Sequence, residues 1–245
     1  MPDFEDDKKP QDNEERHPFL DLWGNEKSPP VLILDDLKVP DEGGVMYGPL
    51  NMTLGNNETA LVQVDNPSLI ANILRAVLAL RKPPQGDVYF LMRKMDIRQD
   101  LLTRSRIYRQ MGLVVELVSL LSDLSAAANL MTFLLYHRPE DHSILQRRAE
   151  GILAGLGFTK ALMCAPTHQL NKAFKTLGLV ALGIAKEPPI IILERPKHFL
   201  GRMFSRAWNL LIEEAKAKGT GVLVLALATE NYKDLDFDTR VVLKL

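Results

Sequence analysis

Two runs of this chain are apolar at every position: Ile190-Ile191-Ile192-Leu193 and Val222-Leu223-Val224-Leu225. A strand with one wet face alternates apolar and polar residues, so a strand without that alternation has to be covered on both faces. Short, branched, doubly covered runs are the mark of parallel strands sandwiched between helices. The two runs extend over 189–193 and 221–228, and further strand-like stretches lie at 31–34, 60–64, 88–91, 112–115 and 239–245. Helical periodicity occupies 68–80, 144–156, 172–185 and 203–218, and a more apolar block over 120–136 is also expected to be helical. Asn66 or Ser68 is the expected cap of the first helix, and Gly219 and Gly221 stop the last. The pattern predicts an α/β domain with a mostly parallel core sheet.

Charge and composition remove several classes of function. Lys and Arg total 30 against 31 Asp and Glu, a net charge of −1, so no basic field invites nucleic acid. The one cysteine, Cys164, excludes an internal disulfide, fits a reducing compartment and reads as a small packing residue. No uninterrupted apolar run approaches the ~18 residues of a membrane span, and the acidic start lacks the apolar core of a signal peptide. A cytoplasmic protein is the expectation. Residues 1–27 carry nine acidic and four basic side chains among several prolines, too little apolar surface to order themselves. The domain reading is therefore an acidic tail over 1–30 and one domain over 31–245. Within the tail, Phe19-Leu20-Asp21-Leu22-Trp23 reads as a segment that tucks Trp23 onto the domain or as a short docking motif.

Resident chemistry is hard to find. Of the five histidines, His17, His137, His142, His168 and His198, the pair His137 and His142 is poorly spaced for two metal ligands and reads as solvated loop residues, and no metal site is expected. There is no G-x-S-x-G elbow, paired-cysteine site or H-E-x-x-H. Arg98, Arg104, Arg106 and Arg109 read as a solvated face whose positive charge would help docking near a membrane.

The strand–loop–helix order from 60 to 80 is where a phosphate-binding loop would sit. The stretch begins Asn57-Glu58, passes Val64-Asp65-Asn66-Pro67-Ser68-Leu69-Ile70-Ala71, and continues to Pro83 and Gly86-Asp87-Val88. Further along come Arg109-Gln110-Met111-Gly112-Leu113-Val114-Val115-Glu116, Leu120 to Leu130, Leu170-Asn171-Lys172-Ala173-Phe174, Glu194-Arg195-Pro196 and Thr229-Glu230. In order and spacing these landmarks resemble the nucleotide-binding cassette of an ABC transporter over about residues 31–245. The resemblance implies a P-loop NTPase-type fold with an N-terminal antiparallel β part and a helical subdomain at about 117–185.

Position by position, the resemblance also implies that the chemistry is gone. Phosphate cradling takes glycines, whose N–H groups converge on the anion, a lysine and a metal-binding hydroxyl. Val64, Pro67 and Leu69 stand at the glycine positions, Ile70 at the lysine and Ala71 at the serine. Pro67 also removes a donor. Glu116 takes the place of the Q-loop glutamine, and Asn171, Lys172 and Ala173 that of the LSGGQ signature. Glu194 keeps the first Walker B acid, Arg195 inverts the charge of the catalytic glutamate, and Glu230 replaces the switch histidine. The adenine-stacking aromatic would fall near Pro40. Since both halves of the composite ATP site are altered, no cofactor and no catalytic residue are expected.

The resemblance then implies a pseudo-ATPase subunit, a structural or regulatory component of a membrane transport complex. The resemblance implies an integral membrane permease and a second cassette, in a homo- or heterodimer, as partners, and a peripheral place at the cytoplasmic face of the inner membrane. Glu116, Leu120, Leu121, Leu124, Leu130 and Phe133 are the expected permease contacts. The stretch 103–108 and the region 134–153 look most similar to Mla-type phospholipid-transport cassettes, with cell-division and lipoprotein-release cassettes nearly as close. Two alternatives stand beside this reading: an ATPase subunit that binds nucleotide in an unorthodox pose, and a soluble regulator that pairs with an active cassette. Glu194, Arg195 and Glu230 are expected to meet at the former active site, as an ion pair closing the cleft or as a new acid–base site.

Overall fold

The computed structural model describes residues 28–137 and 140–243, so the expectations for residues 1–27 lie outside the described residues. In chain order the strands are β1 (Leu32–Pro40), β2 (Met46–Leu54), β3 (Thr59–Val64), β4 (Gln85–Phe90), β5 (Arg93–Lys94), β6 (Met111–Val114), β7 (Ile190–Glu194), β8 (Gly221–Leu227) and β9 (Thr239–Leu243). The helices are α1 (Pro67–Val77), α2 (Leu101–Arg109), α3 (Ala126–His137), α4 (His142–Gly155), α5 (Lys160–Cys164), α6 (Lys172–Lys186), α7 (Pro196–Leu200) and α8 (Phe204–Lys218). An antiparallel sheet runs β2-β1-β4-β5, and a parallel sheet runs β6-β7-β8-β3-β9.

The doubly apolar runs are β7 and β8, next to each other in the parallel sheet. Ile190, Ile192, Leu223 and Leu225 face the core shared with α1 and the antiparallel sheet, whereas Ile191, Leu193, Val222 and Val224 face the core shared with α3, α4, α6 and α8. Covering both faces explains why neither strand alternates.

Helix α1 fixes the geometry that matters most. Asn66 is extended, Pro67 takes the first helical position, and the Asn66 Oδ1 accepts from the Leu69 N–H at 3.1 Å. Proline suits that position because its φ is already helical and the missing N–H has no intrahelical partner anyway. Leu69, Ile70, Ile73, Leu74 and Val77 are all buried. Starting the helix one turn later would pull Leu69 and Ile70 out of the core, at about 1.5–3 kcal/mol for each side chain.

The structure departs from the sequence reading in identifiable places. The block 120–136 is not one helix: 117–125 is a loop, and α3 starts at Ala126 with the Ser125 Oγ accepting from the Ala128 N–H. β1 runs past Asp35 and Asp36 to Pro40 through a bulge, where Asp36 has φ +48° and donates its N–H to the Asn51 side chain. β2 is not among the strand-like stretches of the sequence; it contains Gly48, Pro49 and Asn51, residues depleted in strands, and it is an edge strand, where proline is tolerated. Helices α2, α5 and α7 were also missed; α5 and α7 have only five residues each.

Lys186, the last residue of α6, ties that helix to α2 and β6. Its Nζ donates to the Tyr108 carbonyl at 2.8 Å and the Met111 carbonyl at 2.6 Å. Burial, reinforced by the Arg109 charge, pulls the ammonium down to about 8. Between pH 8 and the ordinary lysine range near 10.5 the folded chain binds fewer protons than the unfolded one, so this lysine makes stability rise with pH there. The melting temperature is expected to climb more steeply from pH 7.5 to 9.5 in the wild type than in Lys186→Met. Equal slopes would show that Lys186 is not held this way.

Candidate functional site

Ligands of open parallel sheets bind beyond the carboxyl ends of the strands, where helices start and their N–H groups point outward. Here those ends belong to β3, β6, β7 and β8, followed by Asp65-Asn66, Val115-Glu116, Arg195 and Ala228 to Glu230. On G-x-x-x-x-G-K spacing a phosphate loop would run from 64 to 70. Instead, Asp65 and Asn66 alone separate β3 from α1. In the first turn, Pro67 has no N–H and that of Leu69 is taken by the Asn66 side chain, which also accepts from the Ser68 hydroxyl at 2.6 Å. Ile70 is 1% exposed and packs in the core. Helix has thus replaced most of the loop that a phosphate would need. The one basic residue of α1, Arg75, lies in the last turn, at the far end of the helix. These residues do not fit a polyphosphate.

Glu116, Glu194 and Glu230 at this edge are engaged locally. Arg195 Nε lies 2.9 Å from Glu230 Oε1, with both side chains largely buried. Glu230 Oε2 accepts from the Tyr232 hydroxyl at 3.2 Å, and the Gln63 amide donates to the Leu227 and Glu230 carbonyls at 3.2 and 3.0 Å. Burial raises the Tyr232 phenol, so it stays a donor. Glu194 does not join the Arg195–Glu230 pair. Its Oε2 accepts from the Glu116 N–H at 2.7 Å, and burial holds its carboxyl above the usual range against the pull of that hydrogen bond. Of the three groups expected to meet, therefore, Arg195 and Glu230 pair while Glu194 turns toward Glu116. Sequence reasoning missed Gln63 and Tyr232, since neither lies in a motif position.

The signature-like positions are likewise self-satisfied. Asn171 Oδ1 accepts from the Phe174 N–H at 3.0 Å and so caps its own helix, α6. Lys172 Nζ lies 3.5 Å from Glu116 Oε1 and 4.3 Å from the centre of the Phe199 ring. Ala173 offers a methyl group only. Pro40 closes β1, and its carbonyl accepts from the Asn72 amide at 2.8 Å. Among the described residues no three His, Cys, Asp or Glu side chains are placed to hold a metal ion.

The expected partner contacts separate into two groups. A groove of about 320 Å³ lies between the segment after β6 and helix α6, lined by Val115, Val118, Leu120, Leu179 and Phe199 with Glu116 and Lys172 at its mouth. Leu120 lies flat on α6 because position 178 is glycine: a Cβ there would stand 2.6 Å from Leu120 Cδ1. Beside the groove Leu121 is 59% exposed, and Leu117, Leu135 and Tyr136, which the sequence reading left out, are exposed as well. Leu124 and Phe133 are half-buried. Leu130 corrects the expectation, being fully buried against the helical layer, where it can present nothing to a partner. Asn129 shapes the whole loop. It is buried, its Oδ1 accepts from the Leu121 N–H, and its Nδ2 donates to the carbonyls of Leu121, Leu124 and Ser125.

Solved structures with this arrangement are ATP-binding cassettes. The dimeric, post-hydrolysis structure of the ATP-binding cassette MJ0796 bound to ADP and Pi matches with a TM-score of 0.67 and 20% identity, over 80% of this chain and 87% of that one. CbiO1 from Clostridium perfringens, part of the ABC transporter complex cbiONQ, matches with a TM-score of 0.70 and 20% identity, over 89% of this chain and 86% of that one. An ATP-binding subunit of an ABC transporter matches at 0.62 and 17% identity, over 81% and 80%. Scans against protein-family models and curated proteins find no match. The chain has the ABC-cassette fold: a parallel P-loop NTPase-type sheet, an antiparallel N-terminal sheet and a layer of helices.

Proposed function

We propose that this chain is a cassette subunit that neither binds nor hydrolyses ATP and serves a membrane transport complex as a structural or regulatory component. The observation that carries the reading is the start of α1 at Pro67, capped by Asn66, which leaves no loop to wrap a phosphate and no basic residue in the first turns of the helix. The Arg195–Glu230 pair and the Asn171 cap support it from the other landmarks.

Its partners are an integral membrane permease and a second cassette, identical or different. Support comes from the solved cassettes, one of them dimeric and one part of a transporter complex, and from the apolar groove with exposed Leu117 and Leu121 beside it. Such a groove suits an amphipathic helix that inserts apolar side chains and meets Glu116 and Lys172 at the mouth. Among the described residues no helix is long and apolar enough to cross a membrane. In this reading the chain sits at the cytoplasmic face of the inner membrane, with the permease as its membrane-spanning partner. A lipid cargo is the finer reading, resting on the Mla-type similarity of 103–108 and 134–153.

Leu121→Asp tests the docking half. An exposed side chain changes, so the melting temperature is expected to stay within about 2 °C of wild type, as surface changes rarely exceed ±0.5 kcal/mol. Recovery of the chain with a polytopic membrane protein from detergent extracts is expected to fall to background. Unchanged recovery counts against the groove, and recovery of a cassette alone points to the regulator.

A further inference from the structure

We propose that the outward face of α2 contacts an anionic phospholipid bilayer directly, independently of any permease. Leu101 and Leu102, at 76% and 73%, are the most exposed large apolar side chains among the described residues. At about 100° per residue they share one arc with Ser105, Arg106 and Arg109, opposite the buried Ile107. Ile97, just ahead of the helix, is exposed too. The two leucines stand on an exposed face, one turn from guanidinium groups.

The charge is concentrated in the same place. Residues 93–109 hold six basic and two acidic side chains, a net +4 within a chain of net −1. Both acids are engaged within the segment: Asp96 pairs with Arg98 at 2.6 Å, and Asp100 caps α2 by accepting from the Leu102 and Thr103 N–H groups. The helix N-terminus is therefore satisfied by its own cap, and the outward face keeps leucines at one end and arginines at the other. A bilayer answers both, with acyl chains for the leucines and lipid phosphates for the guanidiniums. A complementary acidic protein surface would answer the arginines and leave the leucines wet. At the C-terminal end, Arg109 donates to the Tyr136 hydroxyl at 3.1 Å, so this face adjoins α3 and the exposed Tyr136.

The test is flotation of the purified full chain with vesicles of phosphatidylcholine mixed with phosphatidylglycerol, and with phosphatidylcholine alone. The chain is expected to float with the anionic vesicles, to stay behind with the neutral ones, and to release as salt rises and screens the arginines. Leu101→Asp combined with Leu102→Asp is expected to lower the bound fraction about ten-fold or more, because the acyl contact is lost. Arg106→Glu is expected to weaken binding and flatten its salt dependence. The replaced side chains are exposed, so circular dichroism and melting should match the wild type. Leu121→Asp should float like the wild type, and since no permease is in the tube, failure here leaves the permease reading standing. Absence from anionic vesicles, or flotation undiminished by the leucine changes, overturns the proposal. Loss of permease recovery in the leucine variant without vesicle binding overturns it too, in favour of a protein contact.

Discussion

Ile70→Lys, which returns an ammonium to the position where a phosphate loop carries one, is expected to cost about 4 kcal/mol or more and to restore no nucleotide affinity. Ile70 sits in the second turn of a helix that begins at Pro67, with its side chain in the core between the two sheets. A lysine there must either bury an unpaired charge or lose its proton. At about 2–4 °C per kcal/mol for a chain of this size, the melting temperature should drop by about 8–16 °C. Ile70→Val, which removes one methylene and keeps the chemistry, should cost about 1 kcal/mol. The contrast separates a burial cost from mere sensitivity of the site. A lysine variant as stable as the wild type, gaining further stability from Mg-ATP, would mean that the helix start gives way readily to a loop.

Asn129→Ala is expected to have the second-largest effect, about 2 kcal/mol, and to act on the docking loop rather than on the whole fold. The Asn129 amide holds the Leu121 backbone by both its N–H and its carbonyl, and it reaches the Leu124 and Ser125 carbonyls as well. Several of these carbonyls have second partners: Thr167 bonds to Leu121 through its hydroxyl and to Leu124 through its N–H. The Leu121 N–H has no such reserve, and leaving it unpaired carries most of the cost. Limited proteolysis should then cut within 117–125. Asn129→Asp sharpens the test: it keeps an acceptor for the Leu121 N–H but turns a carboxylate toward three carbonyls, so it should be at least as damaging as alanine. A mild effect of the aspartate would show that the donors matter little.

Much of this frame is legible in the sequence because the signals are local and strong. The runs that became β7 and β8 lack alternation, and the structure covers both faces of each. Helix α6, read as 172–185, forms over Lys172–Lys186, since its apolar periodicity starts at a capping Asn171. The landmark spacing places Glu116, Glu194, Arg195 and Glu230 at the carboxyl edge of one sheet, as the resemblance implies. What the sequence hides depends on contacts distant along the chain. The choice of Arg195 for Glu230 over neighbouring Glu194 follows from the Glu116 N–H lying within reach of Glu194. The burial of Leu130, and a loop in place of the expected helix over 120–125, go with Asn129, whose four hydrogen bonds no periodicity announces.

Titration of the purified chain with Mg-ATP, by calorimetry and by melting temperature, is the most direct measurement of the central claim, with an intact cassette run in parallel. No saturable heat and no rise in melting temperature are predicted up to millimolar nucleotide, while the intact cassette responds to both. Saturable binding with a Kd of about 1 mM or tighter, near −4 kcal/mol, would contradict it, because α1 would then have to yield its first turn to a phosphate.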